Sequence, residues 1–194
     1  MSGKINIACI IEAHFKSLKG VQDNKISKMD VLTFIIFPVG VALLCAYFSF
    51  NLNKDLDSLL VNFGAIFTAL LLSVIVLIYD QENRILEKIA SHPNHIGAPT
   101  YAKLKLLKEL YHNISYAILC SLMLVVTTFI HSILPQNPSF TSIGIPGIAA
   151  TLKLSWATTL VTPLIVVVTI NIILTIVMIV KRLYLILINN NPGH

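Results

Sequence analysis

Charge is what this chain has least of. Its 194 residues include 14 Lys or Arg and 9 Asp or Glu, 12% charged positions in all, where a soluble globular domain carries about a quarter. Four stretches, 31–50, 58–79, 114–134 and 157–180, hold no charged residue at all. So few charges cannot cover four such helices in water, which excludes a soluble bundle. Enzyme signatures are missing too: no phosphate-cradling GxxxxGK[ST], no metalloprotease HExxH and no nucleophile-elbow GxSxG occurs. No Asp or Glu lies inside the four stretches, which argues against a proton-coupled carrier. Cysteine is sparse. Cys9, Cys45 and Cys120 are not placed to form a disulfide on an outer face, so all three are expected as thiols. His92 and His95 bracket a turn with His112 nearby, but H-P-N-H lacks a companion Cys pair, so no metal and no cofactor are expected. The apolar run 5–11 stops at Glu12 with no small-residue cleavage site after it, so no cleavable signal peptide is expected.

What is present is length. The four uncharged stretches have 20, 22, 21 and 24 residues. A hydrocarbon core of ~30 Å needs about 20 apolar residues at ~1.5 Å rise each. Inside lipid every backbone N–H and C=O must be bonded within the segment, so the spans are expected to be helices. The fold class is therefore an all-α integral membrane protein with four transmembrane helices. Pro38 and Pro163 are expected to kink the first and fourth.

Charge placement orients the chain. Residues 1–30 carry five lysines, the segment between spans two and three carries Arg84, Lys88, Lys103, Lys105 and Lys108, and the tail carries Lys181 and Arg182. Only Lys54 and Lys153 lie on the other side, so 12 of the 14 cations mark one face. The positive-inside rule makes that face cytoplasmic, with both termini inside. Direct nucleic-acid binding is not expected, because seven acids are interleaved with these cations.

The connections divide the chain further. Residues 1–30 form a cytoplasmic segment in which Ile7, Ile10, Ile11, Phe15 and Leu18 fall at helical spacing among Lys4, His14 and Lys16. Such a helix either lies in the lipid interface or packs on its own protein. Residues 51–57 are a short outer connection that makes spans one and two an antiparallel hairpin. Residues 80–113 continue the helical pattern of spans two and three into the cytoplasm, broken only around Pro93, Gly97 and Pro99. This predicts a helical-hairpin stalk whose apolar stripe calls for a further helix or partner. Residues 135–156 form an apolar outer loop and 181–194 a tail whose apolar run 183–188 can lie back on the stalk. Among span residues, Asn62 and His131 near the outer ends are expected to meet, and Asn171 lies mid-span; all three suit inter-helix hydrogen bonds or a pore lining.

In length, span count, inside termini and the helical connection 80–113, the chain resembles the Kiwa anti-phage membrane subunit family, KwaA. The resemblance implies an inner-membrane homo-oligomer, a homotetramer. It would sense envelope disturbance and bind a soluble cytoplasmic effector, KwaB. It carries over no catalytic residue. The leading expectation is a non-enzymatic scaffold or sensor that recruits such an effector through Arg84, Lys88, Lys103, Lys105 and Lys108 in antiviral defence. The alternative is an oligomeric ion channel or membrane-perturbing effector; a membrane enzyme ranks last.

Overall fold

The computed structural model describes residues 7–17, 29, 32–48, 50–92, 97–134, 142–144, 151–153 and 157–188. Helix α1 is Ile7–Ser17. Helix α2 is a π turn, Leu32–Ile36, running into an α-helix, Phe37–Tyr47. Helix α3 is Lys54–Ser91 and helix α4 is Ala98–Ile133. Strands β1 (Ser142–Gly144) and β2 (Thr151–Lys153) pair antiparallel within the loop that follows. Helix α5 is Thr162–Ile188, preceded by a π turn at Ala157–Val161.

Among the described residues three helices are long and apolar enough to cross a bilayer: α3, α4 and α5. The expected first span is shorter than its apolar run. It is helical over Leu32–Tyr47, 16 residues or ~24 Å, against a core of ~30 Å. The helix stops at Tyr47, short of the expected end at Phe50, and it opens on a π turn just before Pro38. Pro38 has no N–H, and the turn before it widens into π geometry rather than a regular α-turn. Beyond Tyr47 the chain leaves the helix, with Phe48 and Phe50 bonding back to Leu44 and Cys45. Asn53 then caps α3, its side chain accepting from the Leu56 N–H at 2.8 Å. The connection before α3 therefore ends at Asn53, and Asp57, expected in it, lies in the first turn of the helix.

The long helices stand in a row, with α3 on α4, α4 on α5, and α5 on α2. The middle of the row is the best covered. In the most apolar window of α4 44% of residues are buried, against 17% in α3. A heptad-like ladder on α4, Leu107, Leu110, Ile114 and Ala117, forms the core with Leu71, Ile78 and Ile85 of α3 and Ile179 and Ile186 of α5. The apolar end of α5 thus lies back on the hairpin formed by α3 and α4, well beyond the uncharged part of each helix. A second cluster, with Leu52, Cys120, Leu124, Ile165 and Ile172, fills the other end. Helices α3 and α4 approach closely at Gly64, where a Cβ would come 2.8 Å from Val125 Cγ2 and 3.0 Å from the Ser121 carbonyl oxygen. Small residues are how apolar helices gain van der Waals contact in lipid. Cys9, Cys45 and Cys120 are all free thiols.

Candidate functional site: a basic hairpin cleft and two buried polar clusters

The hairpin presents a cleft of about 550 Å³ lined by Gln81, Arg84, Ile85, Glu87, Lys88 and Ser91 of α3 and Lys103 of α4. Arg84 and Lys88 share a face because they are four residues apart on α3. Lys103 comes from the facing arm, which Pro99 starts in its first turn. Ile85 is buried and belongs to the core beneath. Three cations against Glu87 give the cleft a positive balance suited to a carboxylate-rich or otherwise anionic surface. The five expected partner-binding residues do not all converge. Lys105 is exposed outside the cleft lining, and Lys108 lies 4.0 Å from Glu82 across the two arms.

At the far end of α3 and α4 stands a buried Asp–His pair. Asp57 is 2% exposed and His131 fully buried. A carboxylate only accepts, so the His131 Nδ1–H donates, at 3.1 and 3.0 Å to the two Asp57 oxygens. Ser132 Oγ donates to the same carboxylate at 3.1 Å. His131 Nε2 lies 3.5 Å from Thr162 Oγ1, the first α-helical residue of α5. The pair therefore joins α3, α4 and α5. The expected Asn62–His131 contact is not made. Asn62 is exposed on α3, whereas Asp57 faces α4, and a charged partner outbids a neutral amide. Nor does Asn171 reach another helix; its amide donates to the Val167 carbonyl of its own helix at 3.0 Å. The three pore candidates are thus not brought together within one chain.

A second buried cluster lies at the hairpin end. His14 of α1 stacks on Tyr116 of α4, with centroids 3.9 Å apart and planes 5° from parallel. Phe15 and Phe34 close its edges. Its Nδ1–H donates to Asn113 Oδ1 at 3.0 Å, and Ser17 Oγ reaches the same oxygen at 2.8 Å. Arg182 of α5 donates to the Ser17 carbonyl at 2.8 Å, capping α1, and its other nitrogen lies 3.4 Å from Glu109 of α4. Burial pushes the His14 imidazole down to about 4, with the Arg182 charge adding to the effect and the Asn113 bond opposing it. Burial likewise lowers the Arg182 guanidinium, against the pull of Glu109. Two donors here, Asn113 Nδ2 and Arg182 Nη1, are buried without a hydrogen-bond acceptor; the Glu109 contact is an ion pair rather than an aligned bond.

The spacing of the two clusters is informative. Asn113 and His131 are 18 residues apart on α4, and Thr162 and Arg182 are 20 apart on α5, or ~27 and ~30 Å. Each interval matches the thickness of a hydrocarbon core. The clusters thus lie at two levels about one such thickness apart, with α1 at the hairpin-side level. Helix α2 starts beside His14, through Phe34, and also touches the π turn at the start of α5.

Sequence reasoning missed Asp57, His14, Asn113, Glu109 and Arg182. One signal was available: Asp57 directly precedes one uncharged run and His131 lies three residues from the end of another. Among the described residues no group of three or more His, Cys, Asp or Glu could hold a metal; His95 lies outside them. Comparisons with protein-family profiles, characterised proteins and solved structures find no match to the chain.

Proposed function

We propose that this protein is a membrane-embedded scaffold that holds a rigid helical hairpin above a bilayer surface and recruits a soluble partner to it. The observation that carries this reading is the basic cleft between the hairpin arms, held beyond the uncharged spans by two unbroken helices. Arms of this length are marginal as isolated helices in water. Continuity with the spans and the overlying end of α5 keeps them ordered, and a docking site gains precision from rigid support.

The topology goes with it. In this reading α2 is the fourth crossing, a short one, because the chain must travel from α1 at the hairpin-side boundary to Asn53 at the opposite one. The excess of Lys and Arg on the hairpin side supports a cytoplasmic hairpin and cytoplasmic termini in a bacterial inner membrane. Homo-oligomer formation is part of this reading: the row of helices leaves the outer faces of α2 and α3 open to a second copy or to lipid. A homotetramer that engages a KwaB-like effector in anti-phage defence is the form the Kiwa resemblance gives to this reading. Purification in mild detergent tests it. Reversing Arg84, Lys88 and Lys103 to Glu should abolish co-purification of a soluble protein with the intact membrane protein, whereas Lys105→Glu, outside the cleft lining, should not. Retention of the partner by the inserted triple variant would overturn the docking role of the cleft.

A further inference from the structure

Helix α1 is held by one edge. His14 and Ser17 meet Asn113 and Tyr116, and Arg182 closes its last turn. At 100° per residue, Ile7, Ile11 and Phe15 form a second edge, about a quarter-turn away. Ile7 and Ile11 are 42% and 37% exposed. Phe15 at the end of that edge touches Tyr116, which lies beyond Asn113 towards the apolar interval of α4. The apolar edge therefore points towards the spans, and Arg182 and Glu109 lie on the hairpin side. Glu12 and Lys16, ion-paired at 2.6 Å, form a third edge about 120° from the apolar one.

We propose that α1 is a bilayer-binding helix. It lies along the hairpin-side boundary with Ile7, Ile11 and Phe15 in the upper acyl chains of that leaflet and Glu12 and Lys16 in the headgroup water. The partner is a lipid surface, and apolar burial supplies the attraction, because Glu12 and Lys16 neutralise each other. The helix is bolted through Asn113 and through Arg182 to Glu109, where the hairpin leaves the apolar interval. The depth of α1 in the leaflet and the base of the hairpin are thus fixed to one another. This inference rests on the spans lying in a bilayer and is independent of partner recruitment.

Depth-dependent fluorescence quenching tests it. The full-length protein, with Trp156→Phe removing the native indole, is reconstituted into phosphatidylcholine vesicles brominated at different acyl depths. Single tryptophans are placed by Ile7→Trp, Ile11→Trp, Glu12→Trp and, on the exposed face of α3, Leu70→Trp. Ile7→Trp and Ile11→Trp should be quenched several-fold more than Glu12→Trp, most strongly by the shallowest bromines. Adding anionic phosphatidylglycerol should change this little. Leu70→Trp should respond to the deepest bromines. If Leu70→Trp is quenched and Ile11→Trp is quenched no more than Glu12→Trp, α1 does not lie on lipid and the inference falls. If Leu70→Trp also escapes quenching, it is the membrane-spanning reading that fails.

Discussion

Removing His131 is the sharpest test of how the three long helices are held together. His131→Leu leaves the Asp57 carboxylate, whose side chain is 3% exposed, with the Ser132 hydroxyl as its remaining side-chain donor. Deleting the donor beside a buried carboxylate costs about 3–5 kcal/mol, because its charge stays buried without compensation. Asp57→Leu leaves the His131 Nδ1–H without its carboxylate acceptor, a loss closer to that of an unsatisfied buried polar group, about 1–3 kcal/mol. The double variant removes both polar groups and fills the site with carbon. Replacing a whole buried pair by apolar residues is often neutral or better, so it should lie within ~2 kcal/mol of the parent. The cycle should therefore be strongly non-additive, with the double variant at least ~2 kcal/mol more stable than the two single losses imply. Reversible unfolding of the detergent-solubilised protein in sodium dodecyl sulfate, followed by far-ultraviolet circular dichroism, measures all four corners. Additivity within ~0.5 kcal/mol would mean that the two side chains do not stabilise one another.

Gly64→Leu should cost about 1–3 kcal/mol by forcing α3 from α4, since even a Cβ meets Val125 and the Ser121 carbonyl, and the same titration reads it. Acid should release α1. His14 titrates near 4 when docked against ~6.5 when free, so between those values the undocked helix binds the proton and docking loses up to ~3 kcal/mol as pH falls. A spin label on the exposed Cys9, with Cys45 and Cys120 replaced by Ser, should grow more mobile over that window, and His14→Phe should abolish the dependence; an unchanged profile in that variant would assign the effect elsewhere. For orientation, a cysteine introduced at Ser139 should react with an impermeant reagent in intact cells and one at Ser91 should not, the reverse pattern inverting the topology.

The apolar runs carry the helices because length without charge has few other solutions: α3 contains the whole of one uncharged stretch, α4 all but Leu134 of the next, and α5 with its preceding π turn the last. The extension of α3 and α4 was readable as well, since Leu104, Leu107 and Tyr111 keep helical spacing with Ile114 outside the uncharged run. Hydropathy fails at the first run because it counts side chains and not backbone continuity. Pro38 changes the turn before it, and the helix ends at Tyr47 although Phe48 and Phe50 are as apolar as what precedes them. It fails again at Asp57, where an acid next to a run reads as loop. Its partner lies 74 residues away, and His14 and Asn113 are 99 apart; no local spacing rule links such pairs. Asn62 marks a third limit. Its depth along α3 suited His131, but one residue of helix rotates a side chain by 100°, and depth alone does not say which face it occupies.

The pair at one end and the cleft at the other are carried by the same two rods. Helix α3 has no proline between Lys54 and Ser91, and the proline of α4 is confined to its first turn, so neither has the usual cause of a kink. From Asp57 to Arg84 is 27 residues, ~40 Å of continuous helix. The backbone approach at Gly64 lies seven residues from Asp57 and 20 from Arg84. A tilt of α3 about that contact displaces the cleft about three times as far as it displaces Asp57, since rise per residue is constant. Lys103 stands on the opposing arm, so the same tilt changes the separation of the cations that line the cleft. The Asp57–His131 pair fixes the far ends of α3 and α4 to each other and to α5, while Ile85 and Leu107 pack the two arms together beside Arg84, Lys88 and Lys103.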